Sequence, residues 1–414
     1  MDLSNARKIV IIGAGQAGAQ AAISLRQWGH DGAITMIGDE TALPYQRPPL
    51  SKAFLKGDLP EDRLYFKPAN WYQDNAIEMM MGGPATAIDR SARRVHLAHD
   101  AHVDYDALIL ATGSRPRSLP VPGADLGNVH ELRTVADVDR LRPQLVTGRR
   151  IVIVGAGYIG LEAAAIARQM GLDVTVLEMA PRVLARVTSP LMSHFYESEH
   201  RARGVDVRTG ARLEAILSEA GKVSHVRLAG GEELPADLVL VGIGIQPNQE
   251  LAEEAGLPTR DGILVDRDAR TCDPRIFACG DCARRPLVHY GRDGRLESVH
   301  NAIEQGKLAA AAIVGRKRPP EEAPWFWSDQ YDLKLQIAGL SEGHDQLIVR
   351  GDPAERRFAA FYLKHRRIIA VDAVNAAPEF LASKRLIVSA APVDAERLTD
   401  MSVSMKEIAA QPAA

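Results

Sequence analysis

The sequence predicts an α/β protein with two parallel, doubly wound sheets and a C-terminal α+β domain. Three observations carry this expectation. Near the start, an apolar run, a glycine hexad, a helical stretch, a second apolar run and an acidic pair follow one another. The same succession, ending in a single acid, returns in the middle of the chain. After Pro319-Pro320 the composition shifts toward tryptophan and alternating, strand-like stretches.

Ile9-Val10-Ile11-Ile12 is unbroken apolar sequence of strand length. A strand of a parallel sheet is buried on both faces, so it reads as a continuous run rather than an alternation. Gly13-Ala14-Gly15-Gln16-Ala17-Gly18 follows, then a helix with Ala19, Ala22, Ile23 and Leu25 at helical spacing and Gly29 as its stop. Ile34-Thr35-Met36-Ile37 forms the second strand and runs into Gly38-Asp39-Glu40. In the second unit Ile151-Val152-Ile153-Val154 leads into Gly155-Ala156-Gly157-Tyr158-Ile159-Gly160. A helix then runs to Met170, Gly171 stops it, and Val174-Thr175-Val176-Leu177 ends at Glu178. A strand over 103–110 enters Ala111-Thr112-Gly113, and one over 238–241 enters Gly242-Ile243-Gly244 in the same relative place. Proline and glycine mark 115–127 as a crossing between domains, as does Gln246-Pro247-Asn248. The expected organisation is a discontinuous first domain, 1–114 and 246–322, a second inserted at 115–245, and a C-terminal domain at 323–414 with strands near 358–362 and 368–371.

Both hexads have the form GxGxxG. Its first glycine permits a tight turn, the second lets a pyrophosphate approach the main chain, and the third lets helix and strand pack closely. The phosphates then sit at a helix N-terminus, where free N–H groups and the helix dipole favour an anion. Asp39 with Glu40, and Glu178, lie near the distance of about 20 residues at which an acid bonds the adenosine ribose. Two complete units make the domains Rossmann-like and imply two dinucleotides. FAD with a nicotinamide nucleotide is the natural pair, because hydride passes between them. Glu178 repels a 2′-phosphate and so favours NADH, although Arg182 and Arg186 follow and could still take one.

The remaining composition is exclusionary. The chain has 414 residues, a formal net charge of −3 and 3 cysteines. That balance argues against a surface built for nucleic acid, and the cysteine count against a disulfide framework. The opening residues lack the apolar region of a secretory signal, and no run approaches the ~20 apolar residues that span a bilayer, so a cytoplasmic protein is expected. Cys279-Gly280-Asp281-Cys282 admits a redox disulfide or half a metal site, but only Cys272 remains to complete the latter. Packing as small hydrophobes is the preferred reading, and no metal is expected.

One further motif, Thr271-Cys272-Asp273-Pro274-Arg275-Ile276-Phe277-Ala278-Cys279-Gly280-Asp281, resembles the second FAD fingerprint of the glutathione-reductase-like flavoproteins with two dinucleotide-binding domains. Leu43-Pro44-Tyr45-Gln46-Arg47-Pro48-Pro49-Leu50-Ser51-Lys52, the stretch 297–306 and Phe326-Trp327-Ser328-Asp329-Gln330-Tyr331 narrow the resemblance to the ferredoxin reductases of bacterial oxygenase and cytochrome P450 systems. The resemblance implies that Asp281 meets the flavin ribityl chain and that Ala111, Thr112, Gly113, Arg47 and Val299 contribute to the FAD site. It implies that Lys52 and Glu162 form a pair beside the flavin N5, with Trp327 packed near the isoalloxazine. Gly155, Gly157, Tyr158, Ile159, Gly160, Glu178 and Gly244 would take NADH.

By the same resemblance, hydride passes from NADH to FAD and electrons leave singly to a [2Fe–2S] ferredoxin. This chain lacks the four cysteines such a cluster needs. Ferredoxins of this kind are acidic, so the basic stretches 182–186, 201–203 and 364–367 are candidate docking elements. Rubredoxin reductase, NADH oxidase and a redox signalling flavoprotein like apoptosis-inducing factor are the alternatives. No cysteine precedes Cys272, which argues against disulfide and peroxide chemistry.

Overall fold

A computed structural model describes residues 2–410. Its internal contacts divide the chain into two units, each assembled from separate stretches. The first comprises Met1–Gln46, Glu61–Arg115 and Gln246–Glu321. Its centre is an all-parallel sheet in the order Ile276–Ala278, Ala107–Leu110, Lys8–Ile12, Ala33–Gly38, Ile77–Met81. Ile9 and Ile11 enter one core, with Ala17, Ala21 and Leu25 of the helix Gln16–Gln27 and Leu308 and Ala309 of the helix Val299–Ile313. Val10 and Ile12 enter a second core on the other face, which is why the run is apolar at every position. The two helices touch closely, since a Cβ on Gly306 would lie 2.7 Å from the Ala17 carbonyl oxygen.

The expected strand over 103–110 is two strands. His102–Asp104 joins an antiparallel sheet with Ala85–Asp89 and Arg94–Leu97, and Ala107–Leu110 joins the central one. Asp106 sits at the break and accepts hydrogen bonds from the backbone N–H groups of Arg7 and Lys8 at 2.8 and 3.0 Å. A charged side chain with that task cannot lie inside a buried run.

The second unit comprises Arg47–Pro60, Pro116–Ile245 and Glu322–Ala414. Its parallel sheet runs Asp206–Thr209, Asp173–Glu178, Arg150–Val154, Leu238–Val241, Val129–His130. One face is covered by a three-stranded antiparallel sheet, Leu213–Glu219, Lys222–Leu228 and Glu233–Pro235, with Ile216 and Val226 against Val152, Val154, Val239 and Val241. Sequence reading missed this sheet because register shifts break its alternation. The C-terminal part forms an antiparallel sheet in the order Trp325–Gln330, Leu333–Gly339, Arg367–Val374, Arg357–Lys364, Gln346–Asp352. The helix Ala377–Ser389 buries Phe380, Leu386 and Ile387 against its Phe361 and Val371. The segment Arg47–Pro60, placed by sequence in the first domain, groups with this unit through Lys52 on Glu162 and Arg142 over the Phe54 ring. Among the described residues no helix is long and apolar enough to cross a membrane.

Within the second unit His200 is fully buried, its Nε2 2.9 Å from the Gln330 side-chain oxygen and its Nδ1 3.1 Å from the Tyr331 hydroxyl. Burial pulls its pKa down from 6.5 to about 4. The folded ring therefore stays neutral where the unfolded one protonates. Its contribution is present above pH 6.5 and is lost as the pH falls from there toward 4, up to about 3 kcal/mol. His200→Gln, which retains a hydrogen-bonding side chain without a titration, is expected to flatten the fall in Tm across that window in thermal melts. An unchanged slope would assign the acid sensitivity elsewhere.

Candidate functional site

The first hexad assigns a different constraint to each glycine. Gly13 has φ +112°, and a Cβ there would lie 2.1 Å from the Ala111 carbonyl oxygen. A Cβ on Gly18 would lie 2.0 Å from the Gly13 oxygen. Around Gly15 nothing lies within 4 Å. Backbone packing fixes the outer two, and open space surrounds the middle one. Gly15 is also the N-cap of the helix Gln16–Gln27, and no side chain caps it. Its first N–H groups are thus free for an anion.

Other elements converge on this cradle. The Ala111 N–H donates to the Ile12 oxygen at 2.7 Å. Thr112 donates its hydroxyl to the Asn248 carbonyl at 2.6 Å, and Asn248 returns bonds to the Thr112 and Gly113 carbonyls at 2.9 and 3.0 Å. Glu40 accepts from the Tyr45 hydroxyl at 2.6 Å, whereas exposed Asp39, among the described residues, accepts the Glu40 N–H alone, at 3.0 Å. Glu40 is therefore the better oriented acid. Asp281 accepts from the Ser114 hydroxyl at 2.7 Å, and Gln305 holds the Gly280 N–H at 2.8 Å. A Cβ on Gly280 would come 3.0 Å from that of Ala17, so this segment lies against the first turn of the hexad helix. Val299 opens the helix that carries Gln305. An open helix N-terminus, an oriented acid and a second carboxylate fit a dinucleotide such as FAD.

Cys279 and Cys282 are fully buried, and burial pushes both thiols up, Cys279 well above the ordinary range. A thiolate is disfavoured there, so the CxxC is suited to packing rather than disulfide exchange. No metal-ligating cluster occurs among the described residues.

The second hexad repeats the pattern. Gly155 has φ +103° with its Cβ position 2.4 Å from the Gly242 oxygen, Gly160 meets the Gly155 oxygen at 2.0 Å, and Gly157 has nothing within 4 Å. Tyr158 and Ile159 open the helix Tyr158–Gln169. Ile159, Met179 and Val187 are exposed, giving the segments that border the cradle an apolar character. Glu178 accepts the N–H of Ala156 and of Ala180, both at 2.8 Å, which locks its carboxylate at the hexad. Gly244, φ +102°, has Arg186 and Arg117 over it.

Two expectations are corrected here. Arg182 donates to the Thr188 and Ala185 carbonyls and the Ser193 hydroxyl at 2.8, 2.8 and 2.6 Å. Both of its terminal nitrogens are engaged in shaping this loop and its junction with the following helix. Arg201 and Arg203 pair with Glu197 and Glu199 one helical turn back, at 2.7 and 2.6 Å, so they form no free basic patch. The stretch 364–367 is exposed.

Lys52 and Glu162 are brought together at 2.6 Å. Glu162 is only 1% exposed, and its oxygens also accept from Ser51 at 2.5 Å and Ser328 at 2.7 Å. Gln330 in turn donates to Ser328 at 3.2 Å. Such a set of partners compensates the cost of burying a carboxylate. Trp327 precedes Ser328 on the strand Trp325–Gln330. Phe326, 4.8 Å from the Tyr158 ring, and Ser328 both face the helix Tyr158–Gln169, so alternation puts Trp327 on the opposite face beside Trp325. Arg47 donates to the Arg133 carbonyl at 2.6 Å. Sequence reasoning missed Ser51, Ser328, Tyr45, Ser114 and Asn248 as partners. All but Ser114 lie within motifs it singled out, and Ser114 directly follows one.

Comparison with known proteins places this geometry. Residues 7–306 match the pyridine nucleotide-disulphide oxidoreductase family, and residues 325–409 the family described as reductase C-terminal. The chain is 46% identical over 407 residues to putidaredoxin reductase of Pseudomonas putida, covering 97% of this chain and 96% of that one. Among solved structures it resembles the reductase in a covalent putidaredoxin reductase–putidaredoxin complex, with a TM-score of 0.96, 45% identity and 98% of each chain covered. It also resembles the ferredoxin reductase for the CYP199A2 system of Rhodopseudomonas palustris, with a TM-score of 0.94, 44% identity, and 97% of this chain and 100% of that one covered. The chain therefore belongs to the pyridine nucleotide-disulphide oxidoreductase family.

Proposed function

We propose that this chain is an FAD-dependent NADH:ferredoxin reductase that hands electrons singly to a [2Fe–2S] ferredoxin serving an oxygenase or a cytochrome P450. The observation that carries it is the pair of glycine cradles, each open at its middle glycine and each ending in an acid, on a chain alike throughout to reductases of that class. We further propose three domains, with an FAD domain split around an inserted NAD domain and a C-terminal α+β domain, and a cytoplasmic location.

FAD, when bound, supplies a hydride acceptor that can return electrons one at a time. Gly13, Gly15, Gly18, Glu40, Asp39, Ala111, Thr112, Gly113, Asp281, Val299, Arg47 and Trp327 would hold it. Gly155, Gly157, Tyr158, Ile159, Gly160, Glu178 and Gly244 would hold NADH. The locked Glu178 carboxylate opposes a 2′-phosphate, and Arg182 is not available to relieve the repulsion. Lys52 supplies a cation held in place by Glu162, which the two serine hydroxyls orient, so its electrostatic contribution costs little reorganisation. No side chain is asked to act as nucleophile or general base.

Stopped-flow reduction by NADH and NADPH, followed by mixing with a [2Fe–2S] ferredoxin or a rubredoxin, tests the proposal. Purified protein without FAD would overturn it, and faster reduction by NADPH would overturn the role of Glu178. Gly157→Ala is expected to fold normally and keep its flavin, because the added methyl meets open space, while its KM for NADH rises on the order of tenfold. Gly160→Ala should instead lose stability, because its methyl would meet backbone at 2.0 Å. Lys52→Gln is expected to slow flavin reduction at saturating NADH on the order of tenfold, with little change in NADH affinity. A change in affinity alone would make Lys52 a binding residue.

A further inference from the structure

Residues 179–189 leave the Glu178 end of its strand and border the second cradle. At the near end, the Ala180 N–H donates to the Glu178 carboxylate at 2.8 Å; midway, the Leu184 N–H donates to the Ala156 oxygen of the hexad at 3.0 Å, with Leu184 itself in the left-handed region at φ +54°. Arg182 braces the middle of the segment. The far end is fastened to the C-terminal sheet. Thr188 and Tyr362 both donate their hydroxyls to one oxygen of Asp372, the latter at 2.6 Å, and the Ser189 N–H donates to the Tyr362 hydroxyl at 3.1 Å.

Asp372 is 2% exposed and sits on Arg367–Val374, the middle strand of its sheet. No cation pairs with it among the described residues, and burial pushes its carboxyl up to about 6. A carboxylate is a costly residue for such a place, where an apolar side chain would serve the core. Its hydrogen bonds go to the segment that borders the cradle. Its charge also reaches the cradle helix: the phenol of Tyr158, next to Gly157, is raised by burial and then by Asp372, and its hydroxyl is buried without a partner.

We propose that Asp372 is a positioning residue for the nicotinamide nucleotide, acting through residues 179–189, which it pins by way of Thr188, Tyr362 and Ser189. The inference rests on the NADH site proposed above. A segment held at both ends is present in its binding arrangement before the nucleotide arrives. Release of one end lowers the fraction of competent protein and weakens apparent affinity by that factor, without altering the transfer step once the nucleotide is bound.

The test uses the FAD-loaded enzyme. Asp372→Asn is expected to raise the KM and Kd for NADH about five- to tenfold and to leave the flavin-reduction rate at saturation within about twofold. Tyr362→Phe and Thr188→Val should each shift affinity the same way by less, and the double variant should weaken binding by no more than Asp372→Asn. Trypsin should cut after Arg186 faster in each variant than in the parent, and NAD+ should slow that cut in the parent. If Asp372→Asn does not fold, Tyr362→Phe carries the test. Unchanged NADH affinity with a lowered Tm, or loss of saturating rate without loss of affinity, would overturn the proposal. Wild-type enzyme that NADH fails to reduce would overturn the site assignment instead.

Discussion

The structure depends on backbone approaching backbone where no side chain fits. At Gly13 and Gly155 the strand that leads into each hexad turns against the carbonyl after a neighbouring strand, Ala111 in one case and Gly242 in the other. At Gly18 and Gly160, both on the helix, a Cβ would stand 2.0 Å from the carbonyl oxygen of the first hexad glycine, Gly13 and Gly155 respectively. These four contacts bring each helix N-terminus to the carboxyl edge of its sheet. With that approach fixed, the middle glycines Gly15 and Gly157 can stay open. A side chain at an outer glycine would push helix and strand apart, whereas one at a middle glycine would leave the fold in place and fill the space meant for phosphate.

Two buried carboxylates in the second unit solve the same cost in different ways. Glu162 has an ammonium at 2.6 Å and two hydroxyls, so its charge is balanced as well as hydrogen-bonded. Asp372 has, among the described residues, hydroxyl donors and no cation, and burial pushes its carboxyl up. A balanced pair keeps a fixed charge in a fixed place, which suits electrostatic assistance to a transfer. An unbalanced carboxylate is held by the geometry of its donors, which suits an anchor whose strength depends on keeping a loop in position.

What was legible in the sequence is what is local in it. Each hexad is a contiguous segment whose glycines answer to main-chain geometry, and the apolar runs answer to burial on both faces. The lysine–glutamate pair was reached only through resemblance, because nothing in the spacing of Lys52 and Glu162 reports that the chain folds them together. Ser51 and Ser328 belong to the same class, lying far apart in sequence and meeting on one carboxylate. The three-stranded sheet over 213–235 escaped because bulges disturb its period. The strand over 103–110 was drawn too long because one aspartate inside it serves the backbone of the first strand. Arg182 shows the converse error: a residue type that suits phosphate is used to cap carbonyls within its own loop.

Charge near the surface follows the same logic. Arg201 and Arg203 look like a basic run, but they sit on a helix, where Glu197 and Glu199 are one turn back and on the same face. The sequence is basic there and the surface is not. Residues 364–367 lie instead at a hairpin, with Lys364 paired to Arg367 and with His365 and Arg366 both in the left-handed region, so no helical neighbour is positioned to neutralise them. Asp345 lies 3.6 Å from the His365 ring and accepts its backbone N–H, and an exposed contact of that kind contributes only about 0–1 kcal/mol. The field of exposed Lys364, Arg366 and Arg367 weakens with salt as that of any exposed charge does.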